Sequence, residues 1–277
     1  MKTVALPSGE LVPAYGQGTW HMGDDRAARA EEIATLRLGL DLGATLIDTA
    51  EMYGNGRSEQ LVGEAIAGRR DEVFLVSKVL PDHATRRGTV AACEKSLARL
   101  NTDRLDLYLL HWRGGVPLAE TLEALVALQR AGKIRHYGVS NFDLADMREL
   151  WALTGGTVVA ANQLLYNLQR RGIEWDLLPW LCKRRVPVMA YSPLEQARLV
   201  GNPDLATFAR RHGMTPAQAG LAWLLDHDGV MVIPKCSRRE RLKENLSAAD
   251  LRLTADQRAE LDRLFAPPTG PAPLEML

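Results

Sequence analysis

Three ionisable residues stand at the carboxyl ends of apolar runs: Asp48 after TLI, Lys78 after FLVS and His111 after LYLL. Tyr53 lies one short turn beyond Asp48. A strand buried on both faces should be almost wholly apolar, so a charged or titratable residue at its end needs a reason. A carboxylate, an ammonium, an imidazole and a phenol together make a device for protonating an oxygen that is becoming negative, as hydride addition to a carbonyl requires. The ammonium favours the phenolate and is expected to lower the phenol's pKa toward the range useful for donation at neutral pH. Asp48 would keep Lys78 charged, since a lone buried Lys tends to lose its proton. His111 would hydrogen-bond and orient the carbonyl oxygen.

Taken singly, each residue has a structural reading. Asp48 and Lys78 make an ion pair at a strand end, His111 a satisfied core histidine, and Tyr53 a loop anchor. Four such placements at the ends of neighbouring runs make a functional site the stronger reading.

The elements that must bring them together are readable. Short runs rich in Val, Ile, Leu and Tyr predict strands at 15–20, 45–50, 73–79, 105–112, 136–141, 158–166, 186–192 and 230–235. Between them, apolar residues at helical spacing predict helices at 26–42, 59–67, 89–100, 119–131, 144–153, 174–185 and 203–212. Further helices are predicted at 215–226, 239–246 and 254–265, with Pro216 at a first helical position. Ser58 reads as a helix start, and Gly43, Gly68 and Gly132 as stops. Eight alternating strands and helices predict a closed (β/α)8 barrel, a TIM barrel, occupying residues 1–277 as one domain, with its site at the carboxyl ends of the strands. Residues 4–12, with Pro-Ser-Gly in their middle, predict a hairpin under the barrel, and the Pro- and Gly-rich 267–277 a surface tail.

Composition narrows the partners. The 34 basic and 34 acidic residues of the 277 cancel, leaving no global field for nucleic acid or a membrane surface. A small molecule is the expected partner, and a monomer or weak oligomer the expected state. No stretch approaches the roughly 20 apolar residues that span a bilayer. The opening MKTVALPSG meets Pro and Gly before any apolar run suited to a signal peptide, so none is expected. Cys93, Cys182 and Cys236 are scattered rather than paired, which favours a reducing compartment, the cytoplasm. The six histidines form no H-x-H or H-x-x-x-H pair, so no metal is expected.

The motifs then fall into a familiar order: GQGTW at 16–20, DTAEMYG at 48–54, VSK at 76–78, LLHW at 109–112, GKIRHYGVSN at 132–141, NQLLYN at 162–167, AYSPL at 190–194 and IPK at 233–235. In this order and spacing the chain resembles the aldo-keto reductases across essentially its whole length, and especially bacterial members that reduce methylglyoxal and similar aldehydes. The resemblance implies NADPH-dependent reduction of small aldehydes and ketones, including 2-oxoaldehydes and aromatic aldehydes. It implies Tyr53 as general acid and base, Lys78 and Asp48 as its tuners, and His111 as the polarising group. It further implies that Ser140, Asn141 and Gln163 bond the nicotinamide carboxamide and that Tyr191 stacks beneath the ring. Ser192, Leu194 and Ser237 join the implied NADP(H) contacts. Lys235, Arg238 and Arg241 supply charge for a 2′-phosphate, and Glu244 and Asn245 match positions that contact the adenine.

Two departures bear on the cofactor. Cys236 stands where many relatives have Ser, which removes a hydroxyl suited to the 2′-phosphate. Residues 195–202 are short where relatives often carry a longer loop over the pyrophosphate, which implies faster cofactor exchange. Trp20 and Trp112, with Met22, Met52 and Phe142, would wall an apolar pocket left open by the brief tail. Two rivals come from other classes. A Schiff-base aldolase would use Lys78 as nucleophile, which Asp48 opposes by keeping it protonated. An NADPH-binding redox-sensing or regulatory barrel would keep the cofactor site with little turnover.

Overall fold

A computed structural model describes residues 2–277. The first two strands, β1 (Thr3–Ala5) and β2 (Leu11–Pro13), pair antiparallel as the expected hairpin. Val4 and Val12 face each other across it and are both buried. Glu10, in the turn, accepts from Arg135 and bonds His136, two residues near the start of a barrel strand, so the hairpin lies at the amino-terminal end of the barrel.

The barrel strands are β3 (Gly16–Gly18), β4 (Leu46–Asp48), β5 (Phe74–Val79), β6 (Leu105–Leu110), β7 (Ile134–Ser140), β8 (Asn162–Leu165), β9 (Val188–Tyr191) and β10 (Val230–Val232). Each pairs parallel with the next in chain order. Bridges Tyr15 to Val232 and Gly18 to Lys235 join the first strand to the last and close the ring. Closure explains one glycine: a Cβ on Gly18 would lie 2.5 Å from the Ile233 carbonyl oxygen, so only Gly lets the backbones meet. Every residue of β5 and β6 is buried, the pattern of strands covered on both faces.

The helices α1 (Arg29–Asp41), α2 (Arg57–Ala65), α3 (Arg86–Leu100), α4 (Leu118–Arg130), α5 (Leu144–Ala152), α6 (Leu177–Lys183) and α7 (Pro203–Arg211) alternate with the strands. They are followed by α8 (Pro216–Asp226), α9 (Arg239–Leu246) and α10 (Ala255–Leu264). Among the described residues no helix is long and apolar enough to cross a membrane. Pro216 does open α8, where Thr215 and Gln218 complete a capping box that satisfies otherwise orphaned amides.

Several boundaries differ from the periodicity. Residues 20–28 are turns and not helix, and 156–158 form a 3-10 turn ahead of β8. Ser58 is not a cap: α2 starts at Arg57 behind Gly56, whose φ of 88° ends the preceding turn. The Ser58 hydroxyl is buried within hydrogen-bond distance of both the Thr19 carbonyl (3.0 Å) and hydroxyl (2.8 Å), to one of which it donates, tying α2 to the end of β3. The tail is mostly exposed, as expected, but it is not free. Leu274 packs on the core and Glu275 pairs with Arg170.

Candidate active site

The ends of β4, β5 and β6 bring Asp48, Lys78 and His111 to one mouth, and the turn after β4 returns Tyr53 to them. The turn holds its shape because Gly54, Asn55 and Gly56 all take positive φ, which Gly and Asn tolerate best. Lys78, fully buried, donates from Nζ to Asp48 Oδ2 (2.8 Å), the Thr49 carbonyl (2.9 Å) and Tyr53 Oη (3.0 Å). All three ammonium protons are thereby satisfied, which is the condition for a charge to survive burial. Burial alone would lower the Lys78 pKa, but Asp48 and Tyr53 more than offset it and the net direction is upward. Because Tyr53 Oη accepts from Lys78, its own proton is free to be given away.

The phenol itself corrects an expectation. Burial raises the Tyr53 pKa, the Lys78 ammonium lowers it and the Asp48 charge raises it again, so the net direction is up and not down. The ammonium therefore limits the rise rather than producing a fall, and Tyr53 is held fully protonated at neutral pH. Asp48 is steadied from its other side by Gln163, whose Nε2 donates to Oδ1 (2.7 Å). That contact, and the Thr49 carbonyl, were not anticipated. Their only signal was polar residues at strand ends.

His111 lies edge-on to the Tyr53 ring with centroids 5.9 Å apart. Its pKa is pushed down to about 2, first by burial and then by the Lys78 charge, so the imidazole is neutral at physiological pH. A neutral ring keeps one N–H for a carbonyl oxygen while adding no second cation beside Lys78. The buried Nδ1 has no partner among the described residues. The native histidine resists a proton that the unfolded chain accepts near its ordinary 6.5, so stability is full above that value and falls as pH drops below it. Replacing His111 by Gln should remove a loss of about 2 kcal/mol between neutrality and about pH 5. Urea unfolding of both proteins at the two pH values checks this, and equal losses would refute it.

Around this group, Ser140 donates to the Gln163 carbonyl (2.9 Å), and Asn141 donates to the His111 carbonyl (3.1 Å) and the Ser140 hydroxyl (3.2 Å). Tyr191, half-buried at the end of β9, donates to Asn141 Oδ1 (3.0 Å), so its ring stands beside the tetrad. Beyond β10, Lys235 and Arg238 are exposed, and among the described residues neither has a carboxylate within ion-pair distance. Their neighbours differ: Arg241 pairs with Glu244 at 2.9 Å and Arg239 with Glu31 at 3.0 Å. Ser237 donates to Glu32 (3.3 Å), and Asn245 donates to the Cys236 thiol (3.0 Å). Burial pushes that thiol's pKa up to about 11, so it stays neutral. Two unpaired cations beyond one strand end, and an aromatic face with amide groups beside the tetrad, form a donor set that fits a phosphorylated nicotinamide dinucleotide. In the turn after β9, Ser192 has a φ of 45° and Leu194 packs against the core.

The pocket wall is smaller than expected. Trp20 and Met52 are each 40% exposed, and Trp112 stacks at a tilt on His111, but Met22 and Phe142 are buried in the core and face no open space. The tail also reaches the mouth, where the Leu277 amide donates to Tyr191 Oη (3.4 Å).

With this geometry in place, comparisons with known proteins agree on the family. The aldo/keto reductase family model matches residues 15–266. Methylglyoxal reductase YeaE of Escherichia coli K12 is 50% identical over 276 residues, 98% of this chain and 97% of that protein. Glyoxal reductase of Bacillus subtilis is 34% identical over 99% of this chain and 97% of its own length. The crystal structure of an aldo/keto reductase from Klebsiella pneumoniae in complex with NADP and acetate superposes with a TM-score of 0.97 at 50% identity, covering 100% of this chain and 99% of that one. The chain belongs to the aldo/keto reductase family.

Proposed function

We propose that this chain reduces small aldehydes and ketones to alcohols with NADPH, taking 2-oxoaldehydes such as methylglyoxal and aromatic aldehydes, and that Tyr53 is the proton donor. The observation that carries the reading is the single Lys78 ammonium bonded at once to Asp48, the Thr49 carbonyl and Tyr53 Oη. When bound, NADPH supplies a hydride to the carbonyl carbon. His111, neutral, donates its ring N–H to the carbonyl oxygen and fixes its direction. As negative charge grows on that oxygen it becomes more basic than a phenolate, and Tyr53 passes its proton across. Lys78, 3.0 Å away, then stabilises the phenolate left behind, and Asp48 holds Lys78 charged while it does so.

Ser140, Asn141 and Gln163 hold the carboxamide end of the cofactor, Tyr191 offers its ring face to the nicotinamide, and Lys235 and Arg238 attract the 2′-phosphate. Ser192, Leu194, Ser237, Arg241, Glu244 and Asn245 complete the contacts, and Trp20 and Trp112 wall the substrate side. Residues 1–277 act as one unit, in the cytoplasm, as a monomer or weak oligomer without nucleic-acid or membrane partners. Balanced charge and the similarity to proteins named methylglyoxal and glyoxal reductase support this reading.

The test is loss of NADPH absorbance with methylglyoxal or 4-nitrobenzaldehyde, for which turnover of about 1–100 per second is expected. Tight NADPH binding without turnover would instead favour the redox-sensing barrel.

A further inference from the structure

The turn after β9 is built in an unfavourable shape. Ser192, Glu195, Gln196 and Ala197 have φ values of 45°, 51°, 54° and 72°, a region that residues with a side chain rarely enter. Such a segment persists only where its surroundings over-determine it. Here the agent is one carboxylate. Glu195, buried, accepts from Asn167 Nδ2 (2.7 Å), from Arg170 Nε (3.1 Å) and Nη2 (2.9 Å), and from Arg198 Nη2 (3.4 Å). The same Asn167 amide donates to the Ser192 carbonyl (3.0 Å), so both ends of the turn are pinned to the segment after β8.

Arg170 has one more group to give. Its Nη1 donates to Glu275 Oε1 (2.5 Å), and two residues later the Leu277 amide reaches Tyr191 Oη (3.4 Å). A single guanidinium thus spends one edge on the turn that carries Ser192 and Leu194 and its remaining nitrogen on the tail that touches Tyr191. None of these groups belongs to the tetrad. An isolated exposed ion pair would couple little, but this fork is anchored on the buried Glu195 carboxylate and joins the turn to the tail through one side chain.

We infer that Glu195 and Arg170 are positioning residues that hold Ser192 and Glu195–Ala197 of the turn in their left-handed conformations and couple the carboxyl-terminal tail to it, so that seating the cofactor and settling the tail are one event. The inference rests on the proposed NADPH site. It is tested by hydrogen exchange of residues 192–198 and 266–277, with and without NADP+, in the wild type, Arg170→Met and Glu275→Gln, alongside NADP+ affinity from tryptophan fluorescence. In the wild type, NADP+ should slow exchange in both segments by at least about threefold. Glu275→Gln alters only an exposed partner, and should keep the response of the turn while losing that of the tail. Arg170→Met should lose both responses and weaken NADP+ binding about tenfold, and Arg170→Lys, which lacks the fork, should recover little of this. NADP+ binding with no change in wild-type tail exchange, or an undiminished tail response in Glu275→Gln, would overturn the inference alone. Failure of NADP+ to bind the wild type would overturn it together with the proposed function.

Discussion

Replacing Tyr53 by Phe is expected to lower methylglyoxal turnover about a thousandfold and to leave NADPH affinity nearly unchanged. The substitution removes one oxygen. The ring remains, and with it the contact of Lys78 Nζ, 4.7 Å from the ring centroid, so the turn is retained. Lys78 keeps Asp48 and the Thr49 carbonyl as acceptors and loses only the third. The loss of that hydrogen bond costs about 1 kcal/mol of stability, far less than the effect on rate. On the proposed mechanism, what disappears is the proton that reaches the nascent alkoxide. His111 does not replace it, because its ring is neutral and giving up its only N–H would leave an imidazolate beside the product. Steady-state kinetics with a parallel NADPH titration separates the two effects. Retained turnover in the Phe variant would remove Tyr53 from the mechanism.

Replacing Lys78 by Met has a different signature, because it damages stability as well as rate. Asp48 is 2% exposed, and without the ammonium its only remaining side-chain partner among the described residues is Gln163. Breaking a buried pair by deleting one member typically costs about 3–5 kcal/mol, since the surviving charge is left in a poor solvent. For turnover, the phenolate that forms when Tyr53 gives up its proton would lose the cation 3.0 Å away, and a fall of about a thousandfold or more is expected. Urea unfolding measures the first effect and NADPH consumption in the absence of denaturant the second. A Met variant as stable and as active as the wild type would show that the pair serves neither.

Much of the architecture was legible because it rests on local rules. Alternating apolar runs and helical periodicities mark eight βα units, and buried barrel strands make polar residues at their ends conspicuous, which is how Asp48, Lys78 and His111 stood out. Boundaries were less legible where a side chain serves a distant partner. Ser58 looks like a cap by type, but its hydroxyl is used by Thr19, 39 residues earlier in the chain. Met22 and Phe142 follow strand ends yet turn into the core, a choice made by packing and not by position.

By itself, then, the sequence determined the order of elements, the closed parallel barrel and the identity of the four converging groups, since these follow from patterning and from the rarity of buried ionisable residues. Only the tertiary structure decided the sign of the Tyr53 shift, because burial and two opposing charges compete and their balance depends on distances of a few ångströms. It alone decided that Gln163 steadies Asp48 across 115 residues of chain, and that Arg170 joins the turn after β9 to the tail. Such contacts arise when the barrel closes and brings strand ends together, and no local periodicity encodes them.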